Sequence, residues 1–210
     1  MQILCLDIAG QPFRWLTIKQ AAYYVAANKI SWTFGDADTV LHGGMRRVDA
    51  QRSTLSIPPV IALARSEAMT KHGKPLPLGH NNNLLFARDR NVCAYCSDII
   101  TERDQRSRDH VIPRAKGGLD VWSNVVTAHR SCNMAKGCRT PDEARMPLVY
   151  VPYQPCRFEW FILSGRNILA DQMDYLAARL PRHSRISVGQ EIKAVEYLSS
   201  RSLQPSGPVK

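Results

Sequence analysis

Cys93-Ala94-Tyr95-Cys96 and His129-Arg130-Ser131-Cys132 are two matched pairs of metal-ligand type within this 210-residue chain. Each leaves two residues between its outer members. At that spacing a tight turn sets two soft donors on one side of a tetrahedral ion, so two matched pairs make a four-ligand zinc site. The bland reading, buried free cysteines and a core histidine, does not explain why a second matched pair follows the first. Cys138 is an alternative to His129 as fourth ligand, but its place after Lys136-Gly137 does not suit a two-residue knuckle. Thirty-two residues separate Cys96 from His129, against about 15–20 in a simple zinc ribbon. The intervening chain must therefore carry structure of its own.

That chain reads as strand, loop, strand and helix. Arg108-Asp109-His110-Val111-Ile112-Pro113 has β-branched residues ended by proline, which suits a short strand. Arg114 to Ser123 is a basic loop containing Gly117-Gly118, Asn124 to His129 is a second strand, and Ser131 can cap a helix running through Lys136. Zinc pinning the base of two strands and a helix gives a ββα-metal shape. The hard oxygens of Asp109 and Asn133, beside the imidazole of His110, suit a hydrated divalent cation working on phosphodiesters. That combination points to a nuclease.

At these residues the chain resembles the HNH endonuclease family, in its bacterial zinc-knuckle branch. The resemblance rests on Phe86 to Cys96, Asp109-His-Val-Ile-Pro-Arg114, Gly117-Gly118, Trp122-Ser-Asn124-Val-Val-Thr127, Cys132-Asn-Met-Ala-Lys136-Gly137 and Arg139-Thr-Pro-Asp-Glu-Ala144. It extends more loosely upstream through Ile57-Pro-Pro-Val-Ile61, covering roughly residues 1–150. The resemblance implies that His110 is the general base that deprotonates water, and that Asp109 and Asn133 hold Mg²⁺ or Mn²⁺. It implies that Asn124 steadies the histidine or its loop, that Lys136 meets a phosphate or offsets its transition-state charge, and that cleavage leaves a 5′-phosphate and a 3′-hydroxyl. Two positions depart from the commonest pattern. Asn133 stands where histidine is frequent, and an amide oxygen still suits magnesium. His129 stands where this branch usually has a fourth cysteine, and zinc accepts three thiolates and an imidazole.

Charge agrees with a nucleic-acid partner. The chain has 28 Lys and Arg against 18 Asp and Glu, a formal net charge of +10. Basic and acidic residues number nine and five up to residue 85, eleven and eight from 86 to 145, and eight and five beyond. No basic tail explains the excess, which is spread over folded sequence as a phosphate-following surface requires. Arg106, Arg108, Arg114, Lys116, Arg130 and Arg139 are the expected phosphate contacts, although solvated surface is the ordinary reading of any one of them.

No run of eighteen apolar residues exists, so no membrane-spanning helix is expected. Met1-Gln-Ile-Leu-Cys-Leu-Asp7 lacks a basic stretch and a long apolar core, so no secretory signal is expected either. Three of the six cysteines sit in ligand pairs, which suits a reducing cytoplasm. Cys5, Cys138 and Cys156 are then spare thiols.

The expected organisation is α+β in three parts: an N-terminal α+β region (1–80), the nuclease module with its zinc knuckle (81–150), and a C-terminal extension (151–210). In the first part, strands are expected at Gln2–Ile8, Ile30–Phe34 and Thr39–Leu41, and helices from Thr17 to about Asn28 and from Pro58 to about Met69. Lys71 to His80 reads as a linker. Thr140-Pro-Asp-Glu143 starts a helix through a capping box. Phe158–Leu163 reads as a strand, and helices follow at about Arg166–Leu180 and Glu191–Ser199, the extension offering a packing or homodimer face. The functional expectation is a metal-dependent DNA endonuclease acting on duplex DNA. The alternatives are a zinc-stabilised nucleic-acid binder without cleavage and an RNA-cleaving nuclease.

Overall fold

Ile3–Leu6 and Val60–Leu63 are unbroken apolar runs, and they become neighbouring parallel strands buried on both faces. The computed structural model describes residues 1–36, 39–64, 76–79, 82–182 and 184–186. Its N-terminal part runs β1 (Gln2–Leu6), β2 (Pro12–Thr17), α1 (Ile18–Ala26), β3 (Ile30–Phe34), β4 (Thr39–Met45), β5 (Arg52–Ile57) and β6 (Val60–Leu63). Four of the strands form one sheet in the order β2-β1-β6-β3, while β4 and β5 pair as a separate hairpin.

Strand alternation sorts the core into two layers. Ile3, Cys5, Ile61 and Leu63 face one way with Leu16, Ala21 and Ile57, and helix α1 covers them. Leu4, Leu6, Val60 and Ala62 face the other way and meet Phe161, Tyr175 and Leu176 from the C-terminal part. Each large aliphatic side chain buried here contributes roughly 1.5–3 kcal/mol of transfer free energy. Helix α1 is capped by Thr17, where the expected helix starts, and Gln20 completes a capping box, each residue bonding the other's amide.

The second part contains α2 (Asn83–Arg88), β7 (Arg106–His110), β8 (Val125–His129), α3 (Arg130–Lys136) and α4 (Pro141–Ala144), and the third contains α5 (Arg157–Ser164) and α6 (Ala170–Ala177). Strands β7 and β8 form an antiparallel hairpin with His110 opposite Val125 and Arg106 opposite His129. The third part packs on both others. Phe161 of α5 enters the sheet cluster, whereas Trp160 also packs against Leu78, Leu85, Phe86 and Trp122 beneath β8. From α6, Gln172 donates to the carbonyls of Gln2 and Pro59, both at 2.8 Å, and Tyr175 donates to that of Gly10 at 2.8 Å.

Several local expectations are corrected. Val60–Leu63 is strand β6 rather than the start of a helix, because its four residues fill the centre of the sheet; residues 65–69 of that expected helix lie outside the described residues. Phe158–Leu163 is helical. Cys156 caps α5 by accepting the amide of Glu159, whose carboxylate accepts the Cys156 amide in return. Helix α6 starts at Ala170, not Arg166, and α3 starts at Arg130 with His129 at its cap, so Ser131 is inside it. Within the expected linker, Leu76 and Pro77 accept from the indoles of Trp122 and Trp160 at 2.9 and 3.1 Å, and Leu78 is buried. The rest of that linker, 71–75 and His80, and the expected helix at Glu191–Ser199 lie outside the described residues. Among the described residues, no helix is long and apolar enough to cross a membrane.

Candidate functional site

The zinc ligands converge. Cys93 and Cys96 lie on a turn closed by the Ser97 amide on the Cys93 carbonyl at 3.1 Å and the Cys93 amide on the Asp98 carbonyl at 2.9 Å. His129 ends β8 and Cys132 lies in α3. One donor atom from each of the four residues falls within 4.8 Å of the others, and ligands of a tetrahedral Zn–S site lie about 4 Å apart. The donor chemistry fits as well. Burial raises the Cys93 thiol, but amides of Cys96, His129 and Tyr95 outweigh it and bring the group down to about 7. Burial, and then Cys93 itself, pushes Cys96 up to about 12. Cys132 is also raised, by burial and then by the Cys93 charge. One thiolate forms readily and hinders the next, a conflict that a bound dication resolves.

Beside this knuckle, β7 separates its residues by the alternation of a regular strand. His110 borders an open groove of about 600 Å³ that is also lined by Arg106, Arg108, Arg114, Arg130, Asp120 and Asn133. Asp109 faces the opposite side and is only 5% exposed. Its Oδ1 accepts from Lys136 Nζ at 3.1 Å, and its Oδ2 accepts from the Tyr95 hydroxyl. Burial and then this carboxylate raise the Tyr95 pKa, so the phenol remains a donor. Lys136 is fully buried and also donates to the His110 carbonyl at 2.9 Å. The structure thus places Asp109 and Lys136 together beneath the strand rather than on the groove, and Lys136 ties α3 to β7 where the sequence suggested a phosphate contact.

Asn133 reaches the groove from α3. Its Nδ2 donates to Ser107 Oγ at 3.1 Å and to the Arg108 carbonyl at 3.2 Å. A carbonyl only accepts, so this bond fixes the orientation of the amide and leaves Oδ1 as the unengaged oxygen among the described residues. Asn124 serves the loop. Its Oδ1 accepts the Ile112 amide at 2.9 Å, and its Nδ2 donates to the carbonyls of Ile112 and Leu119 at 3.1 and 2.8 Å. Gly117 adopts φ +84°, and a Cβ on Gly118 would collide with the Ile112 carbonyl, so both glycines are required by this turn.

The six predicted phosphate contacts divide. Among the described residues, exposed Arg114 and Arg130 have no partner. Arg106 borders the groove but donates to Asn91 Oδ1 at 2.9 Å and to the Thr101 carbonyl at 3.0 Å. Arg108 donates to both Asp120 oxygens at 2.9 and 2.7 Å and to the Gly79 carbonyl at 3.1 Å. Lys116 pairs with Glu143, and Arg139 donates to the Lys136 and Ala135 carbonyls at the end of α3. Neither of these two lines the groove.

Two constellations were not recognised in the sequence. Asp120 Oδ1 lies 2.9 Å from His110 Nε2; ten positions separate the two residues, and no motif spacing marks them. Arg88 and Asp89 form a fully buried ion pair. Arg88 also donates to the carbonyls of Trp122, Tyr153 and Val125, and Asp89 accepts the Thr127 amide at 2.8 Å. The adjacent opposite charges within Phe86-Ala-Arg-Asp-Arg were the available signal.

Residues 93–149 match the family model described as HNH endonuclease. That segment contains the zinc-type cluster, the β7–β8 hairpin and α3, so the α+β fold with an HNH module and a knuckle read from the sequence is borne out there. The match supports a nuclease acting on nucleic acid. A search of the curated proteins finds no match for the chain.

Proposed function

We propose that this protein is a DNA endonuclease in which His110 draws a proton from water for attack on a phosphodiester. The observation that carries this reading is the placement of His110 on a basic groove with Nε2 engaged by Asp120 and Nδ1 without a partner among the described residues. An imidazole with one free nitrogen can serve as a general base. Arg114 and Arg130 supply positive charge for a phosphate backbone on the same groove. The family matched by residues 93–149 supports the same chemistry.

The cysteine-rich cluster fits structural zinc in number, donor type and spacing. The expected Mg²⁺ or Mn²⁺ pair fits only in half. Asn133 lines the groove and has its Oδ1 unengaged among the described residues, whereas Asp109 is held beneath the strand by Lys136 and Tyr95. Asp109 as a cation ligand requires a rearrangement that frees it from both donors. The inward carboxylate also gives specific support to the second reading, a zinc-stabilised binder without cleavage.

Incubation with supercoiled plasmid in Mg²⁺ or Mn²⁺, with and without EDTA, separates the two. The endonuclease reading expects nicked or linear product that EDTA abolishes. Retarded but intact plasmid under every metal condition would reject it.

A further inference from the structure

His110 and Arg108 are two residues apart on β7 and so project from the same face of the strand. Both meet one carboxylate. Asp120, contributed by the loop between β7 and β8, receives His110 Nε2 at 2.9 Å and Arg108 at 2.7 Å. Arg108 is 14% exposed at its side chain and is anchored again on the Gly79 carbonyl. The loop that carries Asp120 is fixed in turn by Asn124, which donates to the neighbouring Leu119 carbonyl at 2.8 Å.

A carboxylate standing alone on a groove that receives phosphates is unfavourable, because it repels the substrate. Here Arg108 neutralises it. An ordinary exposed Arg–Asp pair contributes little and gives no reason for the imidazole to share the same oxygens. Burial works against the charged form of Asp120, but Arg108 and then His110 outweigh it and hold its carboxyl below the usual carboxylate range. An ionised carboxylate only accepts hydrogen bonds. The proton of the neutral imidazole therefore sits on Nε2, and Nδ1 keeps its lone pair.

We propose that Asp120 is the positioning residue of the general base, selecting the Nε2–H tautomer of His110, and that Arg108 is the brace that holds Asp120 in place. This deepens the proposed function and rests on His110 being the base. In the step, the water oxygen forms a bond to phosphorus as its proton passes to Nδ1. The ester bond from phosphorus to the leaving oxygen breaks with its electron pair on that oxygen, which takes a proton from solvent. The Nε2 proton stays between the ring and Asp120, so the imidazolium forms beside a negative charge. His110 later returns its extra proton to solvent.

The test uses the full chain with its zinc, steady-state cleavage of a labelled DNA duplex, and side-chain ¹⁵N spectra of His110. Wild type should show the Nε2–H tautomer. Asp120→Asn, with zinc content and thermal unfolding checked in parallel, should lower kcat about 10–100-fold, leave KM nearly unchanged and lose that tautomer preference. His110→Ala separates the two levels of inference. If His110→Ala cuts like wild type, the base assignment fails and takes this proposal with it. If His110→Ala is inactive while folded Asp120→Asn keeps wild-type kcat, only the role of Asp120 is overturned. An Nδ1–H tautomer in the wild-type spectrum overturns it without any variant.

Discussion

Asp109 and His110 are consecutive, yet their side chains lie on opposite faces of one strand. The carboxylate accepts from buried Lys136 at 3.1 Å, and the imidazole meets Asp120 at 2.9 Å on the groove. The same backbone thus carries an internal ion pair on one face and the proposed proton acceptor on the other. Lys136 links the two faces, because it also holds the carbonyl of His110.

Removing Lys136 should therefore cost stability rather than DNA affinity. Lys136→Ala leaves Asp109 as a buried carboxylate without its cation, a loss of about 3–5 kcal/mol for such pairs. A urea denaturation midpoint well below that of wild type is expected. The salt dependence of DNA binding by the folded fraction should be unchanged. Arg114→Ala and Arg130→Ala should behave in the opposite way, each lowering the slope of log affinity against log salt by about one with little change in stability.

Arg88→Ala should be among the most destabilising single changes outside the groove. It strands Asp89 in the core and unpairs three carbonyls, and breaking such a pair costs about 3–5 kcal/mol. Chemical denaturation measures this directly, and a shift under about 1 kcal/mol would contradict the burial.

Cys93→Ser and Cys132→Ser should each reduce bound zinc from one per chain toward none, as measured by elemental analysis. Because metal binding energy is folding energy in such sites, the thermal midpoint should fall by at least about 8 °C. Prolonged treatment of wild type with a strong chelator should reproduce that loss. Cys138→Ser should do neither, since exposed Cys138 lies outside the cluster.

Asp120 makes a pH-dependent contribution of defined sign. Its folded-state pKa is lowered, so its stabilisation is present above the unfolded value of about 3.9 and is lost as pH falls through the folded one. The stability difference between wild type and Asp120→Asn should shrink as pH falls below about 4. A difference that persists undiminished well below that pH would contradict the direction of the shift.

Local chemistry made much of the fold legible. Thr17 is legible as a helix start and Thr140 with Glu143 as a capping box, and the two ligand pairs specify a knuckle because zinc needs four donors. Val60–Leu63 and Phe158–Leu163 were misread because a short apolar run has no distinguishing period. The first lies between two other strands, and the second is set by the reciprocal bonds of Cys156 and Glu159. The motif placed His110, Asp109, Asn133 and Lys136 in one small module, but not on one surface. Which face each side chain takes depends on strand alternation and on what α3 offers from below. Asp120 was invisible for a related reason: only the return of the loop across β7 brings it to His110.

The most direct test is single-turnover cleavage of a duplex by His110→Ala in Mg²⁺, alongside wild type of equal zinc content and equal unfolding midpoint. A loss of at least about 100-fold with duplex affinity retained is expected. Cleavage at the wild-type rate would contradict it.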